Sequence, residues 1–374
     1  MSSRRLYLVA SAGFPNYGDE LIAAQWLRYL AEHHPDDEVW LDCPSPGSAE
    51  VLLGALHPRV RFVDTVFQIA WAAPSEEPWE VADFASRATR FPGVVPRRAA
   101  GVDVLQEADV FHLLGGGYIN TLWPRHVALV AVGATLAAEF GARAALTGAG
   151  LVPSSASAAL LQRLTERYAV VDVRDTQSQA MFAGNRATLS GDDVFLGVGP
   201  HLYDKRESRP VMLCLQEDLV EGGVSAIAET VLATLAQWRV TGGDVGYVEA
   251  MPGHDRRLFE LLEPFLPGMR FYPFTELWAH GLPARPGQRW LTTRFHLHLV
   301  AATAGASGAV LVVKPGYYDV KHGALIEQGS GWSVLQPGAS TKPTRSQITF
   351  GLPTSTLVTG KRAVAAEVYA VPSD

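Results

Sequence analysis

The stretch LYLVASAGFPNYGDELIAAQWLRYLAE, residues 6–32, indicates the fold class. It begins with a short apolar run, Leu6–Ala10, of the kind that forms a strand buried on both faces. From Asp19 to Glu32 apolar residues recur every three or four positions, which predicts an amphipathic helix. A polar loop with two glycines separates the two segments. A strand, a turn and a helix in this order form the first part of a βα unit.

The same alternation of short apolar runs and helix-period segments continues along the chain. Val110–Leu114 and Val170–Val173 predict further strands, and Val127–Phe140 predicts a helix. The polar, turn-rich segment 199–210 interrupts this alternation, which begins again at Val211. We therefore predict an α/β fold of two Rossmann-like domains facing a cleft. The expected parts are an N-terminal domain over 1–198, a linker over 199–210, a C-terminal domain over 211–340, and a tail over 341–374 that packs back across the domains.

Composition excludes several classes of protein. The 374 residues are 48% hydrophobic and 18% charged, which excludes a disordered chain, and the net charge of −7 argues against binding to nucleic acid or an anionic membrane. The longest weakly charged apolar stretch, Leu299–Val313, is too short to span a bilayer as a helix. Cys43 and Cys214 have no metal-ligand spacing. We expect a cytoplasmic protein without an integral membrane segment, a metal site or a cofactor.

Polar and glycine-rich loops follow the predicted strands of the N-terminal half. Asn16, Gly18 and Asp19 follow the first strand, and Gly115–Gly117 follow Val110–Leu114. Ligands of open α/β sheets bind at the carboxyl ends of strands, so these loops are candidates for ligand contact. Two structural alternatives stay open: Asp19 could cap its helix, and the glycines could form a tight strand-to-helix turn.

Cationic side chains follow other predicted strands. Arg174 either pairs with a neighbouring aspartate or binds an anion. Arg294 and His296 lie two residues apart before a predicted helix, where a guanidinium beside an imidazole can bind an anion and move a proton. Lys321 opens a later helix; on its own it would be expected to extend into solvent, but beside Arg294 it becomes a candidate phosphate or carboxylate ligand. Asp192–Asp193 is interpreted as a structural turn.

Read in order, these stretches resemble the polysaccharide pyruvyl transferase family. The resemblance rests on an ordered set of short motifs between about residues 13 and 331; segments 66–100 and 336–374 have no counterpart. The matching motifs are Asn16–Ile22 (NYGDELI), Leu114–Gly117 (LGGG), Gly148–Gly150 (GAG), Val173–Asp175 (VRD), Arg294–His296 (RFH) and Tyr318–Lys321 (YDVK).

The resemblance implies a fold like that of the B-type glycosyltransferases. It also implies transfer of a pyruvyl group from phosphoenolpyruvate, a co-substrate, to two hydroxyls of a sugar or glycan precursor, giving a cyclic ketal. The N-terminal domain would then face the acceptor and the C-terminal domain the phosphoenolpyruvate. The implied roles are catalysis by His296 and Asp19, binding of phosphoenolpyruvate by Arg294, Lys321 and Arg174, and binding of the acceptor by Asn16, Gly18, Gly116 and Gly117.

Three other functions remain open from the residues alone. A B-type glycosyltransferase that uses a sugar nucleotide would share the architecture and the cationic grip on phosphate. A pyruvyl-type transferase could act on a small secondary metabolite instead of a polymer precursor. A protein that binds sugars or nucleotides without catalysis would not need the Arg294–His296 pairing, which this chain retains.

Overall fold

The computed structural model describes residues 3–154, 156–218, 223–314, 316–336 and 350–370; the side chains of 352 and 353 are not described. The chain divides into two compact units. The first contains Met1–Phe14, Asp19–Gly197 and Leu357–Asp374, and the second contains Pro15–Gly18 and Val198–Thr356. Residues 357–368 of the last helix, 12 of its 18 residues, thus belong to the unit formed by the beginning of the chain. Most of the expected tail before it, residues 341–349, lies outside the described residues.

The first unit is built on a seven-stranded parallel sheet with the strand order β3-β2-β1-β4-β5-β6-β7. Its central strands are rich in Val and Leu and are almost fully buried, as expected for a parallel sheet covered by helices on both faces. The strands are β1 (Arg5–Val9), β2 (Glu38–Asp42), β3 (Val60–Val63), β4 (Val110–Leu113), β5 (Arg143–Ala149), β6 (Val170–Val173) and β7 (Thr188–Leu189).

Among the described residues, eight α-helices connect these strands. They are α1 (Tyr17–His33), α2 (Pro46–Leu53), α3 (Thr65–Ala72), α4 (Pro78–Arg90), α5 (Ala99–Gln106), α6 (Val127–Thr135), α7 (Ala158–Thr165) and α8 (Thr176–Gln179). Helix α6 is buried along nearly its whole length and lies at the centre of the apolar core. Helices α3 and α4 pack against it.

The second unit contains a six-stranded parallel sheet with the order β10-β9-β8-β11-β12-β13. Its strands are β8 (Val211–Cys214), β9 (Val245–Val248), β10 (Arg270–Tyr272), β11 (Arg289–Thr292), β12 (Ser307–Leu311) and β13 (Ser333–Leu335). The remaining helices are α9 (Val224–Gln237), α10 (Arg256–Leu262), α11 (Phe274–His280), α12 (Phe295–Thr303), α13 (Tyr318–Glu327) and α14 (Gly351–Val368).

The predicted fold class is confirmed: each unit is a parallel sheet with alternating helices, in the strand order of a Rossmann domain. Some local expectations differ. Helix α1 begins at Tyr17, so Asp19 lies in its first turn and does not cap it. The predicted helix Val127–Phe140 changes to a wider π-helical turn over Leu136–Phe140. Segment 199–210 belongs to the second unit, where Tyr203 pairs with Leu282.

No helix among the described residues combines the length and the apolar character needed to cross a bilayer.

Candidate functional site

Each sheet reverses its strand order at one point, between β1 and β4 in the first unit and between β8 and β11 in the second. Ligands of such sheets bind beyond the carboxyl ends of the strands at that reversal. The predicted site residues lie in or next to these loops: Asn16, Gly18 and Asp19 after β1, Gly116 and Gly117 after β4, Arg294 and His296 after β11, and Lys321 after the neighbouring β12.

The glycine loop, defined here as Gly115–Gly117, is shaped by the protein's own side chains. The Gly115 N–H donates to Asp193 Oδ2 at 2.9 Å, and a methyl group at position 115 would come 2.9 Å from the Asp193 carboxyl carbon. Gly116 has φ +134°, and a methyl group there would come 2.8 Å from the Tyr118 ring. These contacts require glycine at both positions. The loop therefore forms the tight turn that the sequence left open as one alternative, and the Asp193 carboxylate lies at the centre of the turn.

The loop after β1 is closed by a buried carboxyl. The Gly13 N–H donates to Glu20 Oε1 at 2.7 Å, and Glu20 is fully buried. Burial raises the pKa of Glu20 to about 8. The neighbouring Asp19 is partly exposed, and its Oδ1 lies 3.8 Å from where a methyl group on Gly116 would be. Asp19 therefore lies beside the glycine loop of the same unit.

His296 lies in the first turn of α12, against the backbone of Gly18, and both residues belong to the second unit. A methyl group at position 18 would come 1.7 Å from the imidazole Nδ1. The adjacent Tyr17 N–H donates to the Ala250 carbonyl at 2.9 Å, which fixes this short segment. Gly18 is thus the residue that leaves room for the His296 ring.

Arg294 is 8% exposed and is held by two carboxylates. Its Nε donates to Asp255 Oδ1 at 3.1 Å, and its Nη2 donates to the same oxygen and, at 2.9 Å, to Asp218 Oδ1. Burial opposes the charged form, but Asp255 and Asp218 raise the pKa of Arg294 above its usual value. Its third nitrogen, Nη1, makes no hydrogen bond within the described part of the chain. The two acids compensate its charge and fix its plane.

Lys321 lies in the first turns of α13 and is also 8% exposed. Its Nζ is 3.5 Å from the centre of the Tyr317 ring, a cation–π contact, and 5.5 Å from that of Tyr318. The Tyr318 hydroxyl accepts a hydrogen bond from Gln216 Nε2 at 2.7 Å, and Gln216 Nε2 also donates to the Asp218 carbonyl. Lys321 and Arg294 are therefore joined through one connected group of side chains after β8, β11 and β12.

Helices α12 and α13 are fastened to each other by two buried imidazoles. His322 Nε2 lies 3.3 Å from the Thr293 carbonyl, which can only accept, so in the neutral ring the proton is on Nε2 and Nδ1 is an acceptor. His298 Nδ1, at 3.2 Å, therefore donates to His322 Nδ1, and His298 Nε2 accepts from the Ser330 hydroxyl at 2.9 Å. Burial holds the pKa of His298 well below its usual value. This pair fixes the two helices that carry His296 and Lys321.

Arg174 pairs with neighbouring aspartates, which is one of the two alternatives that the sequence left open. It is 3% exposed, and its Nη1 donates to Asp192 at 3.3 Å, with Asp175 at 3.8 Å. A methyl group on Gly150 would come 2.4 Å from its Nε. Arg174 belongs to the first unit, so it does not share a unit with Arg294 and Lys321. Its role toward phosphoenolpyruvate stays a prediction.

Several important side chains were not predicted. Asp255 and Asp218 pair with Arg294, and the buried Asp193 pairs with Lys361. One signal was present: Lys361 stands at helical spacing with Val364, Ala365 and Val368, so a lysine occupies an apolar face. Within the described residues no group of three His, Cys, Asp or Glu side chains is placed to hold a metal ion.

Solved structures with the same fold include sugar-nucleotide epimerases and glycosyltransferases, which share little sequence with this chain. A UDP-N-acetylglucosamine 2-epimerase has a TM-score of 0.57 at 11% identity, over 98% of this chain and 95% of its own. A putative UDP-N-acetylglucosamine 2-epimerase from Listeria monocytogenes has 0.53 at 12%, over 97% and 88%. The glycosyltransferase SnogD from Streptomyces nogalater has 0.52 at 16%, over 98% and 95%. These similarities establish the fold, that of B-type glycosyltransferases and related epimerases.

Family assignment comes from the sequence. No protein with a curated description matches the chain. The family model described as polysaccharide pyruvyl transferase matches residues 16–261. This range extends from Asn16, in the loop after β1, through the glycine loop and beyond Asp255, the partner of Arg294. The match covers more than half of the chain, and the protein belongs to the polysaccharide pyruvyl transferase family.

Proposed function

We propose that this protein transfers a pyruvyl group from phosphoenolpyruvate to two hydroxyls of one sugar residue, forming a cyclic ketal and releasing phosphate. The observation that carries the proposal is the placement of Arg294, His296 and Lys321 on the adjacent helices α12 and α13 after β11 and β12, in a chain of this family. Two cations and an imidazole are the groups that a phosphorylated enol acid requires for binding and for proton transfer.

Residues of the second unit bind the phosphoenolpyruvate. This substrate carries a carboxylate and a phosphate on the same carbon, so it needs two positively charged contacts at a short separation. The ammonium of Lys321 provides a point charge, and Nη1 of Arg294 provides a fixed donor whose direction is set by Asp255. Because Asp255 and Asp218 already compensate the charge of Arg294, we assign the larger electrostatic share to Lys321.

His296 is the proposed acid and base. It gives a proton to the methylene carbon C3, and the first sugar hydroxyl bonds to C2. The C2–O bond to phosphate then breaks with its electron pair, and the second hydroxyl bonds to C2 to close the ketal. Two hydroxyl protons are lost: one balances the proton taken up by C3, and the other leaves with phosphate. Asp19 is the second candidate base, because its carboxylate lies beside the glycine loop.

The loops after β1 and β4 are the proposed acceptor side. Gly116 and Gly117 belong to the first unit and Asn16 and Gly18 to the second, and all four lie in or next to these loops, where the strand order of the first sheet reverses. The glycine loop presents backbone groups and little side-chain bulk, which suits the close approach of a sugar.

Mass spectrometry of reactions with phosphoenolpyruvate and a panel of free, nucleotide-linked and lipid-linked sugars tests the proposal. We expect one sugar to gain the mass of pyruvic acid minus water, with one phosphate released for each ketal formed. Parallel reactions with sugar nucleotides as the only donors are the control. A glycosyl mass gain from a sugar nucleotide, together with no gain from phosphoenolpyruvate, would assign the protein to glycosyl transfer instead.

A further inference from the structure

The last helix buries a charged side chain among the strand ends of the first unit. Lys361 of α14 is fully buried and shares its helix face with Val364, Ala365 and Val368. An ammonium group without a partner would be very costly there. Its Nζ lies 2.6 Å from Asp172 Oδ2 and 2.9 Å from Asp193 Oδ1, and both carboxylates are fully buried. Burial opposes the charge, but the two carboxylates raise the pKa of Lys361 above its usual value.

Asp193 connects this lysine to the glycine loop. While Oδ1 pairs with Lys361, Oδ2 accepts hydrogen bonds from Trp26 Nε1 at 2.8 Å, Thr147 Oγ1 at 2.7 Å and the Gly115 N–H at 2.9 Å. One carboxylate thus accepts three hydrogen bonds at Oδ2, from α1, β5 and the glycine loop, and pairs at Oδ1 with the ammonium of α14. Its orientation, and with it the position of Gly115, depends on the cation at Oδ1.

Asp172 extends the same arrangement to the neighbouring loop. It accepts hydrogen bonds from the Gly148 N–H at 3.0 Å and the Ser190 N–H at 3.1 Å. Gly148 has φ +50°, and a methyl group there would come 2.4 Å from Asp193 Oδ1. The Gly148 carbonyl accepts a hydrogen bond from the Gly116 N–H at 3.4 Å, so the loop held by Asp172 also contacts the glycine loop. Lys361 therefore holds both carboxylates that fix these two strand ends.

Tyr369, the residue after α14, is connected to the same Asp193 carboxylate by a chain of hydrogen bonds. Asp193 Oδ2 can only accept, so the Thr147 hydroxyl donates to it and in turn accepts from His112 Nε2 at 2.9 Å. His112 Nδ1 then accepts from the Tyr369 hydroxyl at 2.7 Å. Burial lowers the pKa of His112 to about 3, so the ring is neutral near neutral pH. Lys361 and Tyr369 reach Asp193 by two separate routes.

We propose that Lys361 is a positioning residue for acceptor binding: through Asp193 it fixes the glycine loop in the conformation that the sugar contacts. The inference rests on the proposed function, because it takes this loop as the acceptor side. Without the ammonium, two buried carboxylates lose the cation that lies between them, and their repulsion turns them away from their present positions. The Gly115 N–H then loses its fixed acceptor, and the loop no longer has a single conformation.

Steady-state kinetics of Lys361→Met test the proposal, with Arg362→Met as the matched control. Arg362 is the adjacent residue of the same helix and is exposed, so its substitution removes a cation of the helix without touching Asp193. In Lys361→Met we expect the KM for the acceptor to rise about 10- to 100-fold, the cost of a small misplacement. The KM for phosphoenolpyruvate should stay near the wild-type value, because its proposed ligands belong to the other unit. Arg362→Met should behave as wild type.

Hydrogen exchange of the backbone at 115–117 gives a readout that needs no turnover. We expect faster exchange there in Lys361→Met than in Arg362→Met. Tyr369→Phe removes one hydroxyl from the second route and leaves the charges in place. It should shift the acceptor KM and the exchange rate at 115–117 in the same direction by a smaller factor. This variant keeps the test valid if Lys361→Met does not fold.

Wild-type acceptor KM and wild-type exchange at 115–117 in a folded Lys361→Met or in Tyr369→Phe would overturn the inference. A parallel rise of both KM values would also overturn it, since that result indicates general loss of structure. If the wild-type protein does not use phosphoenolpyruvate, the proposed function fails. Exchange at 115–117 then still decides whether Lys361 holds the loop.

Discussion

His296 lies where only a glycine leaves room for it, since a methyl group at position 18 would come 1.7 Å from its Nδ1. At the scale of single residues, the sequence offered candidate side chains for the chemistry but did not show which groups hold them in place. Arg294 was predicted to be a cationic ligand. Its partners Asp255 and Asp218 lie 39 and 76 residues away, and such pairings depend on the fold and not on local pattern.

Substitutions at His296 and Arg294 should separate chemistry from binding. His296→Gln retains hydrogen bonding but cannot exchange protons near neutral pH, so we expect turnover to fall by about 10²–10⁴ with little change in affinity for phosphoenolpyruvate. Arg294→Lys keeps the charge but loses the planar fork held by Asp255, so we expect weaker binding of phosphoenolpyruvate. Calorimetric titrations with turnover assays of both variants measure this. Near-normal turnover in His296→Gln would move the acid–base role to Lys321 or Asp19.

Glu20 should make the folded protein less stable as pH rises. Its carboxyl titrates near 4.5 in a solvated chain and at about 8 when folded, because burial disfavours the charge. Between these values the folded state holds a proton that the unfolded state has released, so this contribution to stability is complete below about pH 4.5 and is lost as pH rises through about 8. Glu20→Gln retains an acceptor for the Gly13 N–H and removes the titration.

Urea denaturation of Glu20→Gln and wild type at pH 5 and pH 9 tests this expectation. The variant should gain a few kcal/mol relative to wild type between the two pH values. The opposite contribution of His112, whose lowered pKa makes stability rise with pH below about 6.5, is common to both proteins and cancels. An equal dependence on pH in the two proteins would show that Glu20 does not titrate as described.

At the scale of elements, apolar runs between turn signals were enough to predict most strands of both sheets. Strands β10 and β13 have three residues each and lie at the edges of the second sheet, so they carry too little pattern to be recognised. Helices α3 to α5 carry none of the motifs on which the resemblance rests, and their apolar faces pack against the core of the first unit. Elements near the site were predictable because strand ends and glycines mark them.

The contact between α12 and α13 leads to a prediction at this scale. His298→Leu removes one buried hydrogen bond from His322 and one from the Ser330 hydroxyl. Each such loss costs about 1–3 kcal/mol, so the free energy of unfolding should fall by about 2–6 kcal/mol. Turnover of the folded fraction should fall too, because these helices carry His296 and Lys321. Denaturant titrations and assays check this, with His280→Leu, an exposed histidine of the same unit, as control. Unchanged stability in His298→Leu would contradict the role given to the pair.

At the scale of the whole molecule, both units repeat one strand order, and each places a set of polar loops where that order reverses. The family assignment covers Asn16 to residue 261, and it includes the site loops of the first unit and the carboxylates that hold Arg294. Arg294, His296 and Lys321 themselves lie beyond the matched residues. Their proposed roles therefore depend on their position in the second sheet.

Hydrogen exchange in the presence of each substrate alone should show which unit binds phosphoenolpyruvate and which binds the sugar acceptor. Phosphoenolpyruvate should slow exchange at 292–296 and 316–322, because its proposed ligands lie there, and should leave 114–120 unchanged. A sugar acceptor should protect 114–120. Inorganic phosphate is the control for simple anion binding and should protect the second unit more weakly than phosphoenolpyruvate. Protection of 114–120 by phosphoenolpyruvate alone would reverse the proposed assignment of the units.

The burial of Lys361 has a consequence for the order in which the molecule is made. On the ribosome, domains generally fold as their chain emerges, the N-terminal one first. Here Asp172 and Asp193 emerge long before their cation does, and residues 198–356 of the second unit are synthesised in between. The first unit therefore cannot reach its final structure until residue 361 has left the ribosome. The part of the chain that is translated first is completed last, and until then the nascent protein retains two acidic groups at its strand ends for which no counter-charge has yet been synthesised.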